Sequence, residues 1–595
     1  MSDEGGIEKI DLNKVDWRGS REFFESLGEA LDKLDDHDES YDFTWVGKRK
    51  SIIEAGAPIN KTLRPDVENS KNWDTTENLF IEGDNLDALK LLQESYLGKV
   101  KMIYIDPPYN TGKDFVYHDN FRADTEQYDE DTEYKDDEGN IQFKKNEKSN
   151  GRYHSDWLSM MYPRLKLARN LLSDDGVIFI SIDDNEQANL RKLCDEVFGE
   201  DNFIAQCVRK RRDSQANLSQ NISPIHEYVF IYTRNQGQVL NKITPNIDER
   251  TFKNPDNDPR GPYVTMPCTN KGGSVYSIIT PTGKTIEEEW RFKRDTYDRL
   301  ASENRLVFPR GGDGKPRYKL FLSEKMEEGV LANTWLDNVD SNQVGTREVK
   351  ELFGGESYFD NPKPTDLINW CMELSVGKED IALDFFSGSA TTAHAVMQLN
   401  AEDGGNRKWI MVQLPEETDE KSEAYKAGYK TIPEISRERI RRAGDKIASE
   451  HPDAKVDYGF RALRIDDTNH KDVYRPAADY QQNMLDDLVD NVKEDRSDLD
   501  LLYGVLTATA WELNKPLETV ELDGATVYKY DYFGEVSGLV ACFADEISEE
   551  AIKQIAQLKP LTAVFKEGSF PNSQAKVNLA EHFRIISPDT KVKVI

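Results

Sequence analysis

Two short stretches of this 595-residue chain combine residue types that can do chemistry. The first is Asp106-Pro107-Pro108-Tyr109, at the end of the apolar run from Val100 to Ile105. That run has the length and the β-branched and aromatic content of a strand. Two prolines lack the ladder N–H and lock φ, so the strand must stop at Asp106. What remains is a stiff lip carrying a carboxylate and an aromatic ring. In open parallel sheets, ligands and chemistry gather at that carboxyl edge. The second stretch is Asp384-Phe385-Phe386-Ser387-Gly388-Ser389, where a strand from Asp380 to Phe386 turns at once into a helix. Gly388 lets the backbone approach a ligand closely, and the start of the helix offers free N–H groups. Alone, either stretch could be a Pro-capped loop or a packing turn. At the edge of one inferred sheet, the pair reads as a ligand site.

The elements needed to hold these corners alternate between strand and helix. Leu79-Phe80-Ile81 is a short strand meeting a Gly83-Asp84 turn, and Leu86, Leu89, Leu92 and Tyr96 then recur at helical spacing. This unit feeds the Asp106 strand as a βαβ piece of a parallel sheet. Asp84 itself reads either as a helix cap or as a ligand contact. Trp157, Met161, Leu165, Ala168 and Leu172 mark a further helix. Next come a buried strand from Val177 to Ile182, a helix from Glu186 to Phe198 and a strand from Tyr228 to Tyr232. The alternation resumes with a helix from Thr365 to Leu374 and the Asp384 strand. It ends with a helix from Ala393 to Leu399, a strand from Trp409 to Leu414 and a charged helix near Pro433 to Ser449.

Five segments follow from this pattern. Residues 1–75 are expected to form a charged helical lead-in closing on a loop at 57–72, a packing or oligomerisation arm. Residues 76–235 and 351–455 carry the two halves of the α/β sheet. Between them, 236–350 is rich in Gly, Pro, Asn and Asp with poor helical periodicity, a loop-rich insert suited to substrate recognition. Residues 456–595 form an α/β or α+β segment without a site motif. Inside the first half, 110–152 is a long, acidic loop, and loops of that length are either functional or disordered.

Composition narrows the classes. Acids exceed bases by 110 to 77, a net charge of −33, which disfavours nonspecific adhesion to nucleic acid or anionic membranes. Arg209-Lys210-Arg211-Arg212 is a local exception, a basic knot expected to contact phosphate rather than to be only a solvated face. Five scattered cysteines without a C-x-x-C pair argue against a zinc site and a disulfide framework and suit a reducing cytoplasm; no metal is expected. The acidic, polar N-terminus has no h-region, and no apolar run reaches the roughly 18 residues of a membrane span, so neither a signal peptide nor a span is expected.

With the Asp106–Tyr109 lip preceding the Phe385–Ser389 cradle and an insert between them, the sequence resembles the β class of DNA amino-methyltransferases. Asn78 to Phe121, Trp157 to Leu193, His226-Glu227-Tyr228, Pro362-Lys363-Pro364 and Asp384 to Asn400 resemble the modification subunit of type III restriction–modification systems. The resemblance implies a Rossmann-like α/β sheet that binds S-adenosylmethionine, with an inserted target-recognition domain at 236–350 and an accessory C-terminal domain. It implies a sequence-specific DNA adenine-N6 methyltransferase of the cytoplasm, acting on double-stranded DNA. Such a subunit would dimerise and associate with a separate ATP-driven restriction subunit. The exocyclic amine of adenine is a poor nucleophile because its lone pair is conjugated into the ring. Asp106 and the carbonyl of Pro107 would accept its two hydrogens, with Pro108 stiffening the lip and Tyr109 offering a π-face to the extruded base. Lys363 and the turn with Asp384, Phe386, Gly388, Ser389 and Thr391 would contact the methionine part of the cofactor, and Asp84 the adenosine. The acidic loop would close over both ligands. Ala390 and Gln413 depart from the family pattern, where a third small Gly and a ribose-clasping acid are often found; Glu416 could take the acid's part.

Rival readings remain open. The same lip could serve cytosine N4, and a non-catalytic DNA specificity module could have kept the cradle as a relic. Pro267-Cys268 resembles the nucleophile of cytosine-C5 methyltransferases, but it lies in the insert, away from any strand–turn cradle. Gly283-Lys284-Thr285 resembles the end of a phosphate loop, yet Ile278 stands where its first glycine belongs. His226 is expected to make a structural hydrogen bond.

Overall fold

The computed structural model describes residues 42–112, 115–116, 144–145, 151–214, 221–471, 492–570 and 573–595. The chain divides into two units, Met1–Val46 and Gly47–Ile595. Most of the expected lead-in and nearly all of the expected acidic loop lie outside the described residues. Among the described residues, no helix is long and apolar enough to cross a membrane.

Gly47–Ile595 is built on a ten-stranded sheet. In chain order its strands are β1 (Lys61–Lys71), β2 (Leu79–Glu82), β3 (Val100–Ile105), β4 (Leu172–Ile182) and β5 (Phe203–Lys210). They continue with β6 (His226–Thr233), β7 (Trp335–Leu336), β8 (Ile381–Asp384), β9 (Lys408–Gln413) and β10 (Phe460–Asp467). Across the sheet the order is β1-β10-β2-β9-β8-β3-β4-β6-β5-β7. The run from β10 to β4 is parallel throughout. β1 is antiparallel to β10, and β6 is antiparallel to both β4 and β5. Consecutive residues of β3, β8 and β9 are nearly all buried, as parallel strands covered on both faces must be.

The helices that frame the site are α1 (Asn85–Tyr96), α2 (Tyr153–Leu171), α3 (Gln187–Phe198) and α4 (Asn342–Leu352). After them come α5 (Thr365–Ser375), α6 (Thr391–Asp403) and α7 (Ile432–Glu450). α7 starts with a capping box in which Thr431 and Glu434 satisfy each other's backbone N–H groups, followed by Pro433 in the first turn.

Strands β3 and β8 are neighbours, with Leu383 opposite Ile103. From β8 the chain crosses through α6 to β9 on one side, while from β3 it crosses through α2 to β4 on the other. That divergence opens a crevice beyond the strand ends, where ligands bind in doubly wound sheets. Asp106 and Asp384 stand at the lips of this one crevice.

Several elements extend beyond the expected segments. Residues 57–72, read as a loop, contain the edge strand β1. Pro65 is tolerated there because an edge strand has one side without ladder partners. β7 belongs to the central sheet although it falls within 236–350, and β10 does so although it falls within 456–595. The rest of the insert forms a hairpin of Thr269–Ile279 with Thr285–Trp290 and a sheet of Leu306–Val307, Arg317–Phe321 and Tyr263–Pro267. Its core holds Cys268, Ile278, Trp290 and Tyr297. The C-terminal segment carries a five-stranded sheet packed on helices Glu549–Gln557 and Ser573–Ile586.

Candidate active site

The lip after β3 is held from below by α2. Trp157 Nε1 donates to the Pro108 carbonyl at 2.7 Å. Asn110, at a left-handed φ of 57°, donates from Nδ2 to the Tyr153 carbonyl at 3.2 Å and to Glu186 Oε1 at 2.5 Å. The Tyr153 hydroxyl returns a bond to the Asn110 carbonyl. The corner is therefore fixed at and after the second proline, and the Asp106 carboxylate stays about one-third exposed at the crevice.

Lys363, just ahead of α5, reaches across and donates to both Asp106 oxygens at 2.7 Å. Its third donor contacts the Tyr109 hydroxyl at 3.0 Å. That hydroxyl in turn donates to Glu227 Oε2 at 3.2 Å. Tyr109 is buried, and burial together with Asp106 and Glu227 pushes its hydroxyl well above the ordinary phenol range, so it remains a neutral donor. Glu227, on β6, is fully buried and pairs with Arg209. Burial alone would raise its carboxyl; Lys363, Arg209 and Arg211 outweigh that and hold it below the usual range.

The glycine turn adjoins this cluster through the same lysine. Thr391 Oγ1 donates to the Lys363 carbonyl at 3.1 Å. Gly388 sits at φ +50°, and a Cβ there would meet the Phe359 ring at 3.0 Å. Its N–H donates to Gln413 Oε1 at 2.7 Å. Arg439, buried on α7, donates to Ser389 Oγ and Thr391 Oγ1 at 2.6 and 2.7 Å. Ala390 takes φ +61° with its methyl buried, where an L-residue pays roughly 1–2 kcal/mol and glycine would not. Asp384 accepts from Thr392 Oγ1 at 2.7 Å and from the Phe386 N–H at 3.1 Å, and burial pushes its carboxyl up to about 7.

The first βα turn lies alongside. Asp84 caps α1, accepting from the N–H groups of Leu86 and Asp87, and pairs with the buried Arg164 at 3.3 Å. Asn85 Nδ2 donates to the Phe385 carbonyl at 2.8 Å, joining the two turns, and Arg164 Nε donates to Asn85 Oδ1 at 2.5 Å.

Two features of these turns suit a bound cofactor. Ser387 Oγ is buried in the turn and has no hydrogen-bond partner among the described residues. Glu416, beyond β9, is half-buried, burial raises its carboxyl, and no side-chain partner is found for it among the described residues. The Ser387 hydroxyl is a buried polar group left for a ligand to satisfy, and the Glu416 carboxylate is open to one.

The basic knot splits. Arg209 is buried, bonded to Glu227, to Asn342 Oδ1 at 2.9 Å and to the Asp340 carbonyl. Its expected phosphate contact is therefore corrected: the guanidinium faces inward and its charge is already matched. Strand alternation explains this, because Arg209 shares the inward face of β5 with Cys207 while Lys210 points out. Lys210 is half-exposed, 3.3 Å from Asp213. Arg211 lies over the Tyr109 ring at 5.8 Å, and Arg212 is exposed. Arg211 and Arg212 line a cleft of about 250 Å³ with Asn342, Gln343, Thr346 and Asn361.

Asn85, Arg164, Arg209 as a buried partner, Asn342 and Arg439 were not found by motif reasoning. The Cys207–Arg209 alternation was the one local signal; the others act only through contacts distant in sequence. The decoys resolve as structural. Cys268 is buried and its thiol raised to about 11, Gly283 and Lys284 form a hairpin turn, and His226 bonds the Tyr228 hydroxyl at 3.0 Å.

The DNA methylase family model (N6_N4_Mtase) matches residues 100–426, from the strand before the lip to beyond the glycine turn. The chain belongs to this DNA methylase family. The type III restriction-modification enzyme StyLTI Mod subunit of Salmonella typhimurium is 39% identical over 451 residues, covering 73% of this chain and 67% of the relative. The EcoP15I Mod subunit of Escherichia coli is 33% identical and the EcoPI Mod subunit of Escherichia phage P1 is 32% identical. Each covers 87% of this chain and 84% of the relative. As a member of this family, the protein transfers methyl from S-adenosylmethionine to an exocyclic amine of DNA.

Proposed function

We propose that this methylase modifies adenine N6 in a specific duplex sequence, as the modification subunit of a type III system. The observation that carries the reading is the coupling of Asp106 to the glycine turn through Lys363, at the switch point between β3 and β8. Relatives named as type III Mod subunits, aligned along most of the chain, support the system assignment. On the same reading the protein acts as a homodimer with a separate ATP-driven restriction subunit, and residues 236–350 read the target. Five free, buried cysteines suit the reducing cytoplasm.

S-adenosylmethionine supplies a methyl group made electrophilic by its sulfonium. The Ser387 hydroxyl and the turn from Asp384 to Thr391 hold the methionine part, and Glu416 holds the ribose in place of the acid that Gln413 lacks. Asp84 contributes by fixing the first turn. Asp106 and the Pro107 carbonyl accept the two N–H hydrogens of the target amine, which turns its lone pair toward the methyl carbon. As the amine acquires the methyl group, Asp106 takes the proton it sheds, leaving a neutral methylamino base. Pro107 and Pro108 keep these acceptors from yielding. Tyr109 forms the wall of the base pocket, and Lys210, Arg211 and Arg212 contact phosphates.

Asp106→Ala should lower the rate of labelled-methyl transfer by at least about 10³-fold while cofactor affinity stays within about threefold. An unchanged rate would refute the assignment. Mass spectrometry of nucleosides from the product should give N6-methyladenine; N4-methylcytosine in its place would overturn the choice of base.

A further inference from the structure

We propose that Glu227 is a positioning residue that receives the Lys363 ammonium when the target amine takes Asp106. The inference rests on the proposed amine-methylation reading. Lys363 bonds both Asp106 oxygens at 2.7 Å, and one of them is the acceptor the amine needs. That oxygen keeps a second lone pair, but an N–H arriving there competes with the lysine, which is drawn off it as the amine binds. The lysine is 7% exposed, so an ammonium leaving its partner without another would face a desolvation cost of several kcal/mol.

Glu227 is placed to prevent that loss. Its Oε2 lies 3.8 Å from Lys363 Nζ, and a shift of about 1 Å brings the pair to the usual charge-assisted distance. Oε1 is engaged by Arg209, which leaves Oε2 shared with the Tyr109 hydroxyl. That hydroxyl contacts both Lys363 and Glu227, so it can follow the ammonium from one carboxylate to the other. Arg209, Lys363, Asp106 and Glu227 form two cations and two anions in a largely dry site. Entry of a neutral amine leaves that balance intact. Arg209 is itself anchored by Asn342 and the Asp340 carbonyl, so Glu227 is held still while Lys363 moves.

The test is a double-mutant cycle on the full chain, with tritiated S-adenosylmethionine and unmethylated duplex DNA amplified from a host chromosome. Glu227→Gln should lower kcat about 10²-fold with the cofactor KM within about threefold. In a Lys363→Met background, the same change should alter kcat by less than about threefold, because no ammonium then needs a second partner. Glu227→Gln leaves Arg209 buried and unpaired, so the cycle is repeated with Arg209→Met/Glu227→Gln, which removes the charges together; the same masking by Lys363→Met is expected. A Glu227→Gln kcat within about threefold of wild type, or losses that add in the Lys363→Met background, would overturn the proposal. Absence of any transfer by the wild-type chain would instead refute the amine-methylation reading.

Discussion

Asp106 and Asp384 end neighbouring strands, yet their surroundings assign them different work. Asp106 keeps about a third of its side chain exposed and meets Lys363, whereas Asp384 is sealed in and spends its oxygens on Thr392 and the Phe386 N–H. Asp384 is thus a brace for the glycine turn. Its carboxyl is raised from 3.8 to about 7, above its unfolded value. Its contribution to stability is therefore fully present below about pH 4 and is lost as pH rises through about 7. The loss amounts to at most about 4 kcal/mol. Asp384→Asn cannot titrate. Urea unfolding at pH 5 and pH 7.5 should show wild type losing more stability than the variant across that interval. Equal losses would mean the buried carboxyl does not titrate there.

At the scale of elements, α4 carries the chain out of the insert and lies directly against the backbone of Lys363. Gly345 has no room for a side chain: a Cβ would come within 2.3 Å of the Pro362 carbonyl and 2.8 Å of the Lys363 carbonyl carbon. One turn on, Glu348 accepts from the Thr365 N–H and hydroxyl, capping α5. Asn342, at the helix start, holds Arg209. One helix therefore touches the segment that carries Lys363 and the arginine paired with Glu227. Gly345→Ala must push α4 away from Lys363. Scanning calorimetry should show a destabilisation of about 1–3 kcal/mol, and labelled-methyl assays a slower transfer at saturating cofactor. A variant with unchanged melting and rate would show that the helix is free to shift.

At the scale of the whole molecule, a net charge of −33 makes the approach of DNA unfavourable except where cations gather. Lys210, Arg211 and Arg212 stand at the end of β5, where Arg211 and Arg212 line a cleft and Arg211 lies over the Tyr109 ring, and Arg209 is withdrawn from that face. Neutralising the three outer residues together should reduce the slope of log affinity against log salt by up to about 0.9 per lost phosphate contact. Titration of duplex DNA at several salt concentrations measures it. An unchanged slope would remove the strip from the interface. The order of the central sheet sets this geometry, because β5 and β6 lie on the β4 side of the crevice while the glycine turn lies on the β8 side.

Local sequence determined the corners of the site. Pro107 and Pro108 end a strand wherever they occur, Gly388 accepts a left-handed turn, and apolar periodicity marks the helices between, so the α/β class and the lip and cradle residues were legible without coordinates. The partners of those residues were not. Lys363 meets Asp106 across 257 positions of chain, Arg164 meets Asp84 across 80, and Arg439 meets Thr391 across 48. The edge strand β1 was misread because Pro65 is acceptable only at a sheet margin, and a margin exists only once the strand order is set. Arg209 shows the same limit: its charge suggested phosphate, but the face it occupies on a strand packed by Glu227 and Asn342 decided that it points inward. Residue type fixes what a side chain is able to do; packing decides which neighbour it does it with.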